Sequence, residues 1–238
     1  MKKYWFAFLL PILWLTAAAA DWQQAEQSYR EGHFAAALGS YEELLQSYPN
    51  DPYLYYNIGN CYFKMGSKGL AAANYYRAFR LAPRNADIRH NLSLALAESG
   101  ERFVPQGMPE IFHKAFFWLT ASELKGVLYL VWWLFCILGS LWLFKRKYGR
   151  ATLAIAVVLV IIASWYALRY HPDHDPLAII AAPVAELRSG PGMNFPASAN
   201  IAQGHIVLIR DSRDKWREVV VKSQGIKGWI AADSLESI

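Results

Sequence analysis

Apolar residues follow three different rhythms along this chain. Between residues 126 and 144, and again between 151 and 168, no charged residue occurs. Stretches of 19 and 18 residues are close to the ~20 that a helix needs to cross a bilayer, so both are expected to span. From residue 21 to 100 the apolar positions recur at helical spacing. From 179 onward they gather into short runs, at 179–182, 184–187, 206–209, 216–221 and 228–230, separated by turn residues, which is the pattern of a small all-β barrel. The first twenty residues carry Lys2 and Lys3, an apolar stretch from Tyr4 to Leu15, and Ala18, Ala19 and Ala20 before Asp21. That order reads as a secretory signal peptide, 1–20, with a small-residue cleavage site; the alternative is a short uncut anchor, and either one exports the chain from Asp21 onward.

A period of 34 organises residues 21–100. Gly32, Gly66 and Gly100 are 34 apart, and so are Ala37 and Ala71, Tyr41 and Tyr75, and Pro49 and Pro83. Within that frame Tyr55, Ile58, Gly59 and Tyr62, then Ala71 and Tyr75, then Pro83, resemble the tetratricopeptide (TPR) signature. Small residues at Gly59 and Ala71 let two antiparallel helices approach, aromatic side chains fill the space beside them, and Pro83 stops the second helix. Ala25 and Ser28 stand where the first repeat would carry its Gly and Tyr, while Leu92, Leu96 and Gly100 fit the first helix of a third repeat. The expectation is two repeats plus a closing helix. TPR solenoids bind peptides on the surface lined by their first helices, so the candidate partner-binding residues are Tyr53, Tyr56, Asn57, Asn60, Phe63 and Lys64. For each aromatic, inter-repeat packing is an equal alternative. Asn57 and Asn60 are the favoured ligand contacts, because an Asn inside a helix is poorly placed by propensity alone.

Pro105, Gly107 and Pro109 break the helical pattern, and Phe112, Phe116, Phe117 and Trp118 gather just ahead of the first long apolar run, as suits a membrane-water interface. Thr120 and Glu123 have the spacing of a capping box and mark a helix start. The formal net charge of +5 would suggest nucleic acid if it were spread over one face. Instead its excess sits at Lys2 and Lys3 and in the short turn carrying Lys145, Arg146, Lys147 and Arg150, so it is a topology determinant that places the turn in the cytoplasm. Both flanks of the hairpin are then extracytoplasmic, in agreement with the signal peptide. Cys61 in the repeats and Cys136 in an apolar run are the two cysteines, and no disulfide is expected between such places.

Between hairpin and β-pattern, His171, Asp173, His174 and Asp175 could hold a metal, but ligands so closely spaced between prolines suit a solvated linker better. The string from Glu186 to Gly192, followed by Gly204, Trp216, Gly228, Trp229 and Ile230, resembles the bacterial SH3-like (SH3b) domain. That resemblance implies a non-catalytic module that contacts peptides or cell-wall polymer, with Trp216 and Trp229 as a candidate ligand face and a core role as the alternative. The fold class expected is therefore a multidomain membrane protein. It comprises an all-α TPR solenoid (21–100), a linker with an interfacial aromatic segment (101–120), a two-helix transmembrane hairpin (121–168), a linker (169–178) and a small all-β SH3-like barrel (179–238).

The whole order is similar to the TPR-containing member of the Bat aerotolerance proteins, the BatE-like family. The likeness is carried by Tyr55 to Asn60 with Tyr62, Phe63 and Lys64, by Asn74, Tyr75, Arg77 and Ala78, by Asp87, Ile88, Asn91 and Leu92, and by Phe116, Phe117 and Trp118 ahead of the hairpin. It implies work beside other Bat proteins bearing von Willebrand factor A (VWA) domains, in oxidative or envelope stress. Nucleophile elbows, phosphate loops and metal motifs are not found in the sequence, and His33, His90, His113 and His205 read as surface or packing residues. A non-enzymatic adaptor without cofactor or nucleic acid, sitting in the bacterial inner membrane with both end domains periplasmic, is the expectation. The rival is a peptidoglycan receptor acting through the SH3b domain.

Overall fold

The computed structural model describes residues 21–170 and 176–238; the signal-peptide reading of 1–20 and the His171 to Asp175 segment lie outside them. The chain divides into two units, one formed by the residues up to Met108 together with Pro176–Ile238, the other by Pro109–Asp175.

In the first unit a helix over residues 21–30 (α1) is followed by α2 (Phe34–Ser47), α3 (Pro52–Lys64), α4 (Lys68–Leu81) and α5 (Ala86–Ala97). Their starts are chemically marked. The Asp51 carboxylate accepts the Tyr53 backbone N–H at 2.7 Å ahead of Pro52, and the Asn85 side chain accepts those of Asp87 and Ile88 at 3.0 and 3.2 Å. The 34-residue period reappears in the backbone, since Gly32, Gly66 and Gly100 have φ of 83°, 82° and 76°. Each adopts the left-handed conformation at a helix C-terminus that glycine accepts without penalty. Gly59 performs the expected close approach, because a Cβ there would lie 2.7 Å from the Tyr75 ring and 3.3 Å from the Ala71 carbonyl oxygen. Around these crossings Ala25, Ala37, Tyr41, Leu44, Leu54, Ile58 and Cys61 form one apolar core. The region is thus a TPR-like helical array. After α5 the chain folds back so that Phe103 stands edge-on to Phe79, at 5.0 Å between ring centroids.

The same unit contains an antiparallel sheet made of β1 (Leu177–Ile180), β2 (Val184–Arg188), β3 (Ala197–Ala202), β4 (Ile206–Arg213), β5 (Trp216–Val221), β6 (Ile226–Ala231) and β7 (Leu235–Ser237). The spatial order is β3-β2-β6-β5-β4-β1-β7. Among the described residues no ladder joins the end strands β3 and β7, so the pairings draw a sheet without showing barrel closure. Two strands lack an apolar run that would betray them. β3 buries only Ile201, and β7 spans three residues whose partner is β1. Ala178, Ile180, Ala185, Leu187, Ile201, Val207, Val219, Val221 and Ile230 form the sheet's core.

The sheet packs on the helices. Gln203 bridges them with two bonds of 3.3 Å, accepting from the Gly69 backbone N–H and donating to the Gly66 carbonyl. Arg77 pairs with Glu236 and donates to the Ser237 carbonyl at 2.7 Å. His205 Nδ1 lies 2.9 Å from Glu101 Oε1, and the Ser223 hydroxyl donates to the same oxygen.

The second unit holds α6 (Glu110–Phe116), α7 (Ala121–Phe144), a 3₁₀ turn (Arg146–Tyr148) and α8 (Gly149–Tyr170). The capping box forms as expected: the Thr120 hydroxyl accepts the Glu123 N–H at 3.2 Å and the Glu123 carboxylate accepts the Thr120 N–H at 2.8 Å. α7 and α8 pack antiparallel, tied at the α6 end by Trp165 Nε1 donating to the Phe116 carbonyl at 3.2 Å and Arg169 donating to that of Leu119 at 2.7 Å. The helices have 24 and 22 residues, about 36 and 33 Å at 1.5 Å per residue, against a hydrocarbon thickness near 30 Å. Both are long and apolar enough to cross a membrane. Their outer surfaces are apolar and open, with Phe144 86% exposed.

Candidate functional site

A cleft of about 270 Å³ opens on the first helices of the array. Tyr56, Asn60, Phe63 and Lys64 line it from α3, Tyr29 from α1, Tyr75 from α4, and Asn91 and Leu94 from α5. Four of the six expected partner-binding residues therefore meet at one cleft. Tyr53, 53% exposed at the start of α3, and Asn57, half-buried, are not part of its lining.

The cleft's polar wall is a hydrogen-bonded cluster. The Tyr75 hydroxyl donates to Asn60 Oδ1 at 2.7 Å, and the Asn91 carboxamide donates at 3.1 Å both to that oxygen and to the Tyr56 hydroxyl. The Tyr56 and Tyr75 rings tilt together at 5.8 Å. Asn60 thus spends its carbonyl oxygen on holding the wall. Its N–H₂ group, the Tyr56 O–H and the exposed Lys64 ammonium are donors without a partner among the described residues. Such a wall suits a ligand rich in acceptors, carbonyl or carboxylate oxygens. Tyr29, Tyr75, Asn91 and Leu94 escaped the reading of α3 alone. Three were within reach of the period: Tyr29, Asn91 and Leu94 stand 34 residues from Phe63, Asn57 and Asn60.

Burial raises the Tyr75 and Tyr29 phenols above their ordinary value, with the neighbouring phenols and Cys61 adding to the shift. Tyr41, in the core behind the groove, is pushed up to about 12 from 10.0, first by burial and then by Cys61, Glu26 and Tyr29. Cys61 itself is pushed up to about 11 by burial and by Glu42, so it is a protonated, packed thiol at neutral pH. A Tyr whose proton is held more tightly in the folded state contributes stability that is intact below pH 10 and lost as pH rises through its folded value. The helical signal is accordingly expected to fall between about pH 10 and 12. Tyr41→Phe, which cannot ionise, should shift the alkaline midpoint upward in a circular-dichroism titration.

On the sheet, Trp229 is 7% exposed and lies beneath the Arg213 guanidinium, 5.2 Å from its ring centroid. Trp216 is half-buried and pairs opposite Arg213. The accessible part of this face is Arg213 with Trp216, while Trp229 sits largely in the interior. At the hairpin turn Lys145, Arg146, Lys147 and Arg150 are exposed and form no ion pair among the described residues; Arg146 and Lys147 lie over the rings of Trp142 and Tyr148.

Ser223, His205 and Glu101 bring together the residue types of a hydrolytic relay, but not its geometry. A relay needs the hydroxyl at one imidazole nitrogen and the carboxylate at the other. Here Ser223, at 3.5 Å, and Glu101, at 2.9 Å, both approach Nδ1, and Gln224 lies 3.3 Å from Nε2. The cluster is a packing contact between helices and sheet. Among the described residues no group of three or more His, Cys, Asp or Glu is placed to hold a metal.

The fold and cleft define a TPR-like helical-repeat protein that also carries two apolar helices and an antiparallel sheet. No family model matches the chain. It is 30% identical over 92 residues to the probable cell wall amidase LytH of Staphylococcus saprophyticus, covering 38% of this chain and 32% of that protein. The chain thus spans about a third of the length of this curated relative. Among solved structures, the type III secretion translocator chaperone SycD of Yersinia enterocolitica is 16% identical with a TM-score of 0.34, over 61% of this chain and 83% of that one. SycD with a peptide of the translocator YopD gives 15% and 0.35, over 63% and 94%. The first TPR of Spaghetti (RPAP3) bound to an HSP90 peptide gives 14% and 0.33, over 64% and 94%. At such scores the assignment of the helical array rests on its own helix pairing and 34-residue recurrences.

Proposed function

We propose that this protein is a membrane-anchored, non-enzymatic adaptor whose repeat groove holds an extended, acceptor-rich segment of a partner protein outside the cytoplasm. The observation that carries this reading is the donor-lined cleft of Tyr56, Asn60 and Lys64, braced from behind by Tyr75 and Asn91. The hairpin is the anchor, and its turn of four cations is the cytoplasmic end. Packing of the sheet on α4 supports the same arrangement, since segments that touch before and after the hairpin must lie on one side of the membrane. The sequence likeness to BatE-like proteins favours partners bearing VWA domains and a role in oxidative or envelope stress. The C-terminal sheet is read as an SH3-like barrel.

A photo-crosslinking residue at Phe63 in cells is the direct test. Adducts with membrane proteins that carry extracytoplasmic domains are expected, and Lys64→Glu should reduce them about tenfold by setting a carboxylate against the ligand's acceptors. Adducts confined to soluble cytoplasmic proteins would overturn the reading. A second reading, with which the partial identity to a probable cell wall amidase is compatible, has the Arg213 and Trp216 face of the sheet contact peptidoglycan. Sedimentation of the detergent-solubilised full chain with purified peptidoglycan, lost on Trp216→Ala, would select it.

A further inference from the structure

The 34-residue period provides an internal comparison. Ala35, Gly39 and Glu43 on α2 correspond to Gly69, Ala73 and Arg77 on α4, one stripe at i, i+4 and i+8 on the side of each helix turned away from its own repeat partner. On α2 all three positions are exposed, and a Cβ at Gly39 would meet nothing within 4 Å. On α4 Gly69 and Ala73 are buried and Arg77 is half-buried. A Cβ at Gly69 would run into the Ile180 carbonyl oxygen and come within 3.2 Å of Ala181 Cα. The difference between the two faces is the sheet.

We propose that the sheet is the closing unit of the repeat array, docked on the Gly69, Ala73 and Arg77 face of α4, and that the apolar hairpin is an insertion into this one composite body, not a tether between independent modules. Two helix pairs and a closing helix are fewer than the roughly three full repeats such arrays need, and terminal units must present a polar outer surface. The sheet supplies what is missing. Gln203 satisfies backbone groups at Gly66 and Gly69, Arg77 finds Glu236 and the Ser237 carbonyl, and Glu101 beyond α5 finds His205 and Ser223. These contacts reach α4 at both ends and continue past α5. This inference does not depend on what the groove binds or on which side of a membrane the body lies.

Hydrogen exchange on the full chain in detergent tests it. Gly69→Leu and Arg77→Glu should each speed exchange of the α4 and α5 amides by about tenfold, together with those of β1 and β7. Arg77→Glu combined with Glu236→Arg should restore most of that protection, whereas Ala35→Leu and Glu43→Arg at the corresponding α2 positions should leave it unchanged. If both α4 variants loosen the sheet alone and leave α4 and α5 protected, the array stands without its closing unit and the proposal is overturned.

Discussion

Alkaline phosphatase fused after Ile238 is expected to be active in living cells, and the same enzyme inserted in the turn between Lys147 and Gly149 inactive. The effect is close to all-or-none because the energies are large against thermal energy. Each Lys or Arg drawn to the middle of a membrane costs about 2.5–3.5 kcal/mol even on the most permissive scale, and the turn carries four. From Leu124 to Leu168 the sequence has no acidic residue to offset them. Replacing Lys145, Arg146, Lys147 and Arg150 together by Gln should leave Arg169 and Lys125 at the opposite end as the dominant cations and yield a mixture of orientations. An inactive reporter on an intact, stable Ile238 fusion would exclude an extracytoplasmic groove.

Gly59→Val is expected to be the most damaging single substitution in the helical array. Tyr75 cannot retreat from a new Cβ at 2.7 Å, because it is only 2% exposed and its hydroxyl is tied to Asn60. Overpacking of this kind costs about 3 kcal/mol, or roughly 6–12 °C in Tm for a body of this size. Because Tyr75 and Asn60 also build the cleft wall, crosslinking from Phe63 should fall with it. Gly39→Ala is the matching control. Gly39 lies inside α2 facing open space, so the methyl group meets no neighbour and the helix gains about 0.5–1 kcal/mol from the lost glycine flexibility. Thermal melts of the two variants should move in opposite directions.

Local chemistry wrote much of this fold into the sequence. The recurrence of Gly32, Gly66 and Gly100 announced the repeat frame, Thr120 and Glu123 announced a capping box, and the uncharged stretches announced α7 and α8, because each arises from contacts within a few residues or from composition alone. Four groove residues on α3 were legible for the same reason. Docking of the sheet on α4 was not, since Arg77 meets Glu236 across 159 positions and nothing near either residue marks the other as its partner. A small, flat stripe at Gly69 and Ala73 opposite the packed Ala71 and Tyr75 is the trace such docking leaves. β3 was hidden because its neighbours to Ile201 are Ala, Ser and Asn, and β7 because three residues carry no periodicity.

The order in which the chain emerges during synthesis gives the separation of Arg77 from Glu236 a consequence for biogenesis. Helices α1 to α5 leave the ribosome first, yet the strands that cover α4 arrive last, after both apolar helices have been made. Until then the outward side of α4 lacks its cover, and contacts of such sequence separation form slowly once their parts are present. Under the proposed topology the nascent protein passes through a stage in which its N-terminal portion is exported but unfinished, and completion waits on insertion of both apolar helices. A chain in which only one of the two apolar helices inserts leaves repeats and sheet in different compartments under that topology and exposes an open helix face to proteolysis.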